Sequence, residues 1–490
     1  MMKLNRLLRD IQFALLKGNI DRTVSGICYD SRKVKPNYLF VCVKGTKVNG
    51  HSYVNEAIKN GATAVVIEEN IQYENLEQDV TVIMVKNTKA ALACTANIFY
   101  NEPSKEINLV GVTGTNGKTT VIHYIRNVLE GYGRKAGLIG TLGYELQGEK
   151  IEIDKTNPTT PESLELQEVL REFINKGAED VVMEVTSSAL AKHRVDYCDF
   201  NIGVFTNLSQ DHLEEHGTME AYKNEKMKLF YKCNIGIINA DDKISKEIVE
   251  KATCAIVTYA IDTEADIKAF DIQYSNNSVS FKVNIKSFIR SVTVNIPGKF
   301  SVYNVLATIG TCYALGLNID EILKIIAEVK PVPGRLEMVE NNVNRHVIVD
   351  YAHTPDALEK LLLMAKEITK GGLITVFGCG GDRDKTKRPI MGRIAGSIAD
   401  HCIITSDNPR TENPKSIIED IEIGIKHTAV SYEKITDRRM AISKALELLE
   451  EEDLLIIAGK GHEDYQIIGN TKIHFDDKEV VSEILSRKVI

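Results

Sequence analysis

The chain has 490 residues, 43% of them hydrophobic and 26% charged, no tryptophan and a net charge of −8. This is the composition of a globular enzyme with room for about three domains, and its negative balance excludes a general nucleic-acid binder, which would carry a basic stripe. Nine cysteines with no Cys-x-x-Cys pair exclude a disulfide scaffold or cysteine zinc site, and no apolar run approaches a membrane span, so the expectation is a soluble, cytoplasmic protein.

Met1 to Gly18 interrupts its apolar residues with Lys3, Arg6, Arg9 and Asp10, which predicts an amphipathic helix and not a signal peptide. The polar turn Asp30-Ser31-Arg32 is followed by a strand over 38–43, a helix over 53–60 and strands over 64–67 and 81–85. These make a compact α/β unit of roughly a hundred residues. On chemistry alone, Ser31 and Arg32 are turn and surface residues.

A second unit begins near Ser104. The apolar run 107–112 leads into Gly111-Val-Thr-Gly-Thr-Asn-Gly-Lys-Thr-Thr120, and Val121, Ile122, Ile125, Val128 and Leu129 then mark one face of a helix ending at Gly131. Strand, glycine loop and helix together present backbone N–H groups and a helix N-terminus to an anion. Lys118 adds a point charge for outer phosphates and the Thr119 hydroxyl can ligate Mg²⁺, so the natural guest is ATP or GTP. The loop departs from the strict eight-residue phosphate motif, because its first glycine is Gly114.

A strand over 136–140 completes a βαβ unit, and the proline-bracketed cluster Thr156 to Pro161 can be neither helix nor inner strand. That cluster is a plain loop or one that hydrogen-bonds a polar ligand. Strands over 180–183 and 202–205 lead into Glu184-Val-Thr186-Ser187-Ser188 and Thr206-Asn207-Leu-Ser-Gln-Asp211-His212. Both clusters follow the C-terminal end of a strand, the ligand edge of an open parallel sheet, so Glu184 and His212 are candidate metal ligands near the phosphates. The next helix carries Lys223, Lys226 and Lys228 and ends at Phe230; lysines on a helix usually form a solvated face, and composition singles out none of them. A strand over 235–239 follows, and the alternation in 278–285 and 291–296 suggests antiparallel strands at a sheet edge. A helix over 303–315 comes after Pro297-Gly298.

Pro331 to Glu337 is the clearest linker. Beyond it a fresh α/β pattern places a strand over 347–349 before Asp350-Tyr-Ala-His353-Thr-Pro-Asp356, a helix over 358–368 and a strand over 373–377 before Gly378 to Arg388. Strands over 402–405 and 454–458 deliver Ser406-Asp407-Asn408-Pro409-Arg410 and Gly459-Lys460-Gly461-His462-Glu463. Charged loops again gather at one edge, as in a second doubly wound crevice.

Gly114-Thr-Asn-Gly-Lys-Thr-Thr120, Thr206 to His212, Gly334-Arg-Leu-Glu337, Asp350 to Asp356 and Gly459 to Glu463 together resemble the Mur ligases, ATP-dependent enzymes of bacterial peptidoglycan synthesis, across essentially the whole chain. The resemblance implies three α/β domains. They are a small UDP-sugar-binding domain at 1–103, a central P-loop ATPase-like domain with a mostly parallel sheet at 104–330, and a C-terminal Rossmann-like domain at 331–490. Asp30-Ser-Arg32, Asn157 to Pro161 and Asp407 to Arg410 look like the family member that adds the third peptide residue, an ATP- and Mg²⁺-dependent, monomeric amide ligase acting on UDP-N-acetylmuramoyl-L-alanyl-D-glutamate through an acyl phosphate. The terminal Arg410 resembles the meso-diaminopimelate-adding enzymes; their lysine-adding relatives lack that arginine.

By the same resemblance Gly114, Thr115, Asn116, Gly117, Lys118, Thr119, Thr120, Asn304, Arg335 and Asp350 hold ATP. Thr119, Glu184 and His212 are implied as metal ligands together with Lys226 carboxylated by CO₂, and Lys118, Lys226 and His212 as catalytic. Ser31, Thr159, Thr160, Thr186 and Arg194 are implied to line the UDP-sugar site, and Arg383, Asp407, Asn408, Pro409, Arg410, Gly459 and Glu463 the diaminopimelate pocket. A planar arginine fork suits the second carboxylate that diaminopimelate has and lysine lacks. Ser188 and Lys192 depart from the family pattern, where a larger side chain and, in some relatives, a glutamine stand. The alternatives are a lysine-adding ligase, a folate-polyglutamylating relative and, in a different class, a phosphate-loop switch ATPase.

Overall fold

The computed structural model describes residues 1–45, 48–72, 76, 79–275, 277–286, 288–340 and 345–487. Three principal sheets follow one another along the chain. The first runs in the order Phe13–Lys17, Thr81–Val85, Ala62–Ile67, Tyr38–Val41 and Gly26–Cys28, and its pairs are parallel except the first.

The N-terminus differs from the expected amphipathic helix. Only Leu4–Leu7 is helical, and Phe13–Lys17 is a strand on the sheet edge. One turn already buries Leu4, Leu7 and Leu8. The residues that follow satisfy their backbone groups by pairing with Thr81–Val85, which leaves Phe13 and Leu15 facing outward.

Among the described residues the second sheet has eleven strands. Its centre is parallel, in the order Ala136–Gly140, Asp180–Glu184, Asn108–Thr113, Phe200–Phe205, Cys233–Asn239, Ala255–Ala260 and Ile267–Tyr274. Antiparallel strands flank it: Gly143–Leu146 and Glu149–Lys150 on one side, Val279–Ile285 and Phe288–Val294 on the other, the latter pair where alternation in the sequence placed them. The registers Val112↔Glu184 and Thr113↔Phe205 set three strand ends side by side, so the loops after them share one edge. One face is covered by Lys118–Gly131, Lys299–Ala314 and Ile319–Ile326, through Val121, Ile125, Val305, Ile309 and Ile322. Ser163–Asn175 closes the other face through Leu166, Leu170 and Phe173.

The third sheet orders Glu337–Met338, His346–Asp350, Leu454–Ala458, Leu373–Phe377, His401–Ile404 and Ser431–Lys434, with only the first pair antiparallel. Asp350 pairs with Ala458, Val376 with Ile457 and Phe377 with Ile404, so four more loops emerge together. A hairpin, Tyr465–Ile468 with Thr471–His474, folds beside them. No described helix is long and apolar enough to cross a membrane.

Candidate active site

The strand Asn108–Thr113 lies inside the second sheet, and its C-terminal end carries the glycine loop. Gly114 (φ 145°) and Gly117 (φ 87°) have backbone angles that side chains resist. A Cβ on Gly114 would stand 1.9 Å from Thr206 Oγ1, and one on Gly117 2.8 Å from Asn304 Oδ1. Neighbours fix the loop: Thr206 Oγ1 donates to the Asn116 carbonyl at 2.7 Å, Thr115 N to the Asn207 carbonyl at 2.8 Å and Asn116 N to Asn207 Oδ1 at 3.0 Å. Thr120 lies one residue beyond Thr119 in the first turn of the helix Lys118–Gly131, whose N-terminus faces the loop.

Lys118 folds over this loop and donates to the carbonyls of Gly114 and Thr115, each at 2.9 Å. Thr119 donates its hydroxyl to Glu184 Oε1 at 3.1 Å and accepts from Arg335 Nη2 at 3.2 Å. Glu184 is buried, and its Oε1 also accepts from Thr141 N at 2.8 Å. Two oxygen donors of the predicted metal set therefore already touch.

The solvated face expected for the helix lysines does not form at Lys226, which is 2% exposed. Its Nζ donates to the Gly114 carbonyl at 2.8 Å and stands 4.4 Å from the centre of the Tyr222 ring. Lys223 reaches Glu220 and Glu247, and Lys228 reaches Glu225, each with an acidic partner. Lys226 has none among the described residues, and burial followed by the charge of Lys118 pushes its ammonium well below the usual lysine range. A buried neutral amine is a nucleophile, which a charged surface lysine is not. His212 adopts a left-handed backbone (φ 54°), keeps a partly exposed ring 3.2 Å from Asp211, and meets the edge of Tyr222 at 6.2 Å between ring centres. Among the described residues no three His, Cys, Asp or Glu side chains gather as a metal cluster.

The predicted sugar-site residues fall into two places. Thr160 Oγ1 bonds the Glu184 carbonyl at 2.9 Å and lies 3.1 Å from Thr186 Oγ1; Arg194 Nη1 donates to the Thr160 carbonyl at 3.3 Å, and Thr159 Oγ1 lies 3.1 Å from Thr141 Oγ1. These residues adjoin Glu184. Ser31, read from chemistry alone as a surface residue, is 6% exposed and bonds Glu56 at 3.1 Å, whereas Arg32 is exposed and turned back on Asp30. The departures also have partners: Ser188 donates to Glu215 at 2.7 Å, and Lys192 pairs with both Ser188 and Glu215.

In the third sheet Asp407 to Arg410 and Gly459 to Glu463 converge. Asn408 Nδ2 donates to Glu463 Oε2 at 2.7 Å, and its Oδ1 accepts from Ile467 N at 2.9 Å. Asp407 Oδ2 is buried without a hydrogen-bond partner among the described residues, and a Cβ on Gly459 would stand 2.7 Å from it. Burial and nearby Asp407 raise the Glu463 carboxyl above its usual range, against Lys460 and Asn408. Arg410 (φ 51°) is held by two backbone bonds to the hairpin, to the Ile467 carbonyl at 3.0 Å and from Gly469 N at 2.7 Å, and its Nη1 donates to the Gly381 carbonyl at 2.8 Å. Gly381 also packs on the Pro409 carbonyl; Gly380 adjoins both Arg410 and Arg383, the latter exposed.

The linker and third lobe close over the glycine loop. Besides Arg335 on Thr119, Asp356 accepts from Asn116 Nδ2 at 2.8 Å, and Asp350 anchors the approach by accepting from Leu336 N and Ala352 N, both at 2.8 Å. Lys387, buried, reaches Asp211 at 3.3 Å, and Gln210 reaches Asp384 and Thr386. The sequence placed Lys387 in a charged glycine loop without a role. Its signal lies in burial, which no composition or spacing reveals.

Three family models match the chain: "Mur ligase family, catalytic domain" over residues 23–100, "Mur ligase middle domain" over 112–312 and "Mur ligase, glutamate ligase domain" over 334–461. The chain is 60% identical to the UDP-N-acetylmuramoyl-L-alanyl-D-glutamate–2,6-diaminopimelate ligase 2 of Clostridium acetobutylicum, over 99% of this chain and 100% of that protein. It is 48% identical to the corresponding ligase of Caldanaerobacter subterraneus, over 99% of each. A solved structure of a UDP-N-acetylmuramoyl-L-alanyl-D-glutamate–2,6-diaminopimelate ligase superposes with a TM-score of 0.69 at 30% identity, covering 100% of this chain and 99% of that one.

Proposed function

The chain belongs to the Mur ligase family, and we propose that it is an ATP-dependent amide ligase that joins meso-diaminopimelate to UDP-N-acetylmuramoyl-L-alanyl-D-glutamate in cytoplasmic peptidoglycan precursor synthesis. One observation carries the choice of amine. Asn408 and Glu463 are bonded at 2.7 Å beside the unpartnered Oδ2 of Asp407, on the loop that ends in Arg410. Carboxylates suit ammonium groups, and an arginine fork suits the second carboxylate that distinguishes diaminopimelate from lysine. On this reading Arg383, Pro409 and Gly459 complete the pocket, residues 1–103 bring the UDP-sugar with Ser31, and Thr159, Thr160, Thr186 and Arg194 meet it at the central domain, 104–330. The domain at 331–490 brings the amine.

A carboxylate is a poor electrophile, so the side-chain carboxylate of the glutamate takes the γ-phosphoryl of ATP and releases ADP. The amine then attacks the acyl phosphate, the amide C–N bond forms, phosphate leaves and the amine gives up a proton. Gly114, Gly117 and Thr120 turn backbone N–H groups to the phosphates, Thr115 and Asn116 hold the loop in shape by donating their own N–H groups to Asn207, and Lys118 places its charge on the phosphates. Arg335, Asn304 and Asp350 bind the nucleotide across the junction that the third lobe closes. Thr119 and Glu184, already within 3.1 Å, are hard oxygen donors that fit Mg²⁺, with His212 and a carboxylated Lys226 completing the set. Magnesium, when bound, screens carboxylate and phosphate from one another. Lys226 is suited to react with CO₂ because it is buried, has no acidic partner among the described residues and is displaced towards the neutral amine.

Substrate labelled with ¹⁸O in the glutamate side-chain carboxylate tests the acyl phosphate. The label is expected in the released phosphate; its full retention in the peptide product would remove the phosphorylated intermediate from this account.

A further inference from the structure

Lys460 stands beneath the amine pocket and is 0% exposed. Its Nζ lies 3.2 Å from Glu463 Oε2, donates to the Tyr465 carbonyl and sits 5.4 Å from the Tyr465 ring centre. Sealed in this way, the ammonium cannot reach a substrate. It acts on Glu463, whose Oε2 it shares with Asn408, while Oε1 meets only the Tyr351 hydroxyl at 3.4 Å among the described residues.

The charges around Glu463 show why that cation matters. Asp407 lies close enough to oppose ionisation of Glu463, and the phenols of Tyr351 and Tyr465 face the same carboxylate. Two buried cations answer this acid pair. Arg438, fully buried, donates to the carbonyls of Ser406 at 3.4 Å and Ala458 at 3.1 Å under the two pocket loops, but Asp477 already takes its charge in a two-bond pair at 2.8 and 2.7 Å. Lys460 has no carboxylate partner other than Glu463 among the described residues. Two carboxylates this close and this buried do not both stay ionised without a compensating cation.

We propose that Lys460 is a positioning residue for amine selection, a buried cation that keeps Glu463 ionised, ties down its Oε2 and leaves Oε1 free to receive the distal ammonium of diaminopimelate. The inference rests on the reading above, in which Glu463 faces that ammonium.

Full-length wild type, Lys460→Gln, Lys460→Arg, Glu463→Gln and the Lys460→Gln/Glu463→Gln double variant test it, each with diaminopimelate, ATP and UDP-dipeptide varied in turn. Lys460→Gln keeps a donor for Tyr465 and loses the charge. It is expected to raise the KM for diaminopimelate about ten- to a hundredfold, the usual weight of a charge-assisted hydrogen bond, with the KM for ATP unchanged. Its handicap relative to wild type should shrink as pH rises from about 6 to about 9, because a Glu463 deprived of Lys460 ionises only at higher pH. Lys460→Arg should recover most of the loss, and Glu463→Gln should add little on top of Lys460→Gln. A diaminopimelate KM within about twofold of wild type at every pH overturns the inference, as does an equal loss for all three substrates that adds to that of Glu463→Gln. Should Lys460→Gln fail to fold, the wild type decides: a diaminopimelate KM free of any inflection that Glu463→Gln removes supports the inference, and such an inflection near neutrality overturns it. Wild type that ignores diaminopimelate overturns the reading beneath, whereas wild type that uses it beside an indifferent Lys460→Gln overturns the inference alone.

Discussion

Lys387 Nζ and Asp211 Oδ1 lie 3.3 Å apart with their side chains 6% and 7% exposed, joining the third lobe to the loop beside the nucleotide. Burial alone would raise the Asp211 carboxyl, but Lys387, His212 and His353 outweigh it and hold it well below the usual carboxylate range. Its stabilisation is therefore complete above the unfolded value near 4 and is lost only as pH falls through the lower folded value. Lys387→Met takes the buried cation from Asp211 and leaves it with His212 at 3.2 Å and His353 at 4.0 Å, at a cost of up to about 3–5 kcal/mol to the docked arrangement. The expected outcome is faster proteolysis in the linker 331–336 and an acid transition at higher pH than in wild type. Unchanged proteolysis and an unchanged acid transition would show that the pair does not hold the lobe.

A second buried pair lies inside that lobe. Arg438 and Asp477 are both 0% exposed and share two hydrogen bonds, and Arg438 also spans the carbonyls of Ser406 and Ala458. Asp477→Asn is expected to cost about 3–5 kcal/mol of stability, because it strands a charge away from water. Denaturant unfolding measures this, and a loss below about 1 kcal/mol would mean that the guanidinium has found another partner.

Lys226 should not tolerate arginine. A guanidinium cannot become a carbamate and stays cationic where the carbamate would be anionic, so Lys226→Arg is expected to lose at least about a hundredfold in kcat. Wild type in [¹³C]bicarbonate should show a carbamate resonance that the variant lacks. Full activity of the variant would exclude the modified lysine from catalysis.

Arg410→Ala should act on one substrate. The side chain leaves the glycine loop while the backbone bonds to the hairpin remain, so the KM for diaminopimelate is expected to rise about ten- to a hundredfold with the KM for ATP unchanged. Equal changes for both substrates would place Arg410 outside the amine pocket.

Much of this arrangement was legible in residue order. Glycines at 114 and 117, followed by one apolar helical face, announced strand, loop and helix, and the strands over 81–85, 136–140, 373–377 and 454–458 lie where they were expected. Local periodicity reports local structure, which is why these elements were visible. Tertiary context decided the rest. Phe13–Lys17 gains more from a sheet edge than from continuing a helix whose leucines are already buried. Lys226 looks like Lys223 and Lys228 until its burial, and its lack of an acidic partner among the described residues, are seen. Lys387 and Lys460 read as loop charges, and only the fold brings each against a carboxylate from elsewhere in the chain or from three residues on.

The central claim is that the pocket around Arg410, Asp407 and Glu463 selects diaminopimelate. The most direct measurement is phosphate release by the wild-type protein with ATP and UDP-N-acetylmuramoyl-L-alanyl-D-glutamate, supplied with either meso-diaminopimelate or L-lysine. The account predicts a kcat/KM for diaminopimelate at least about a hundredfold above that for lysine, the weight of an unsatisfied arginine and its missing carboxylate. Robust turnover with lysine and none with diaminopimelate would contradict it.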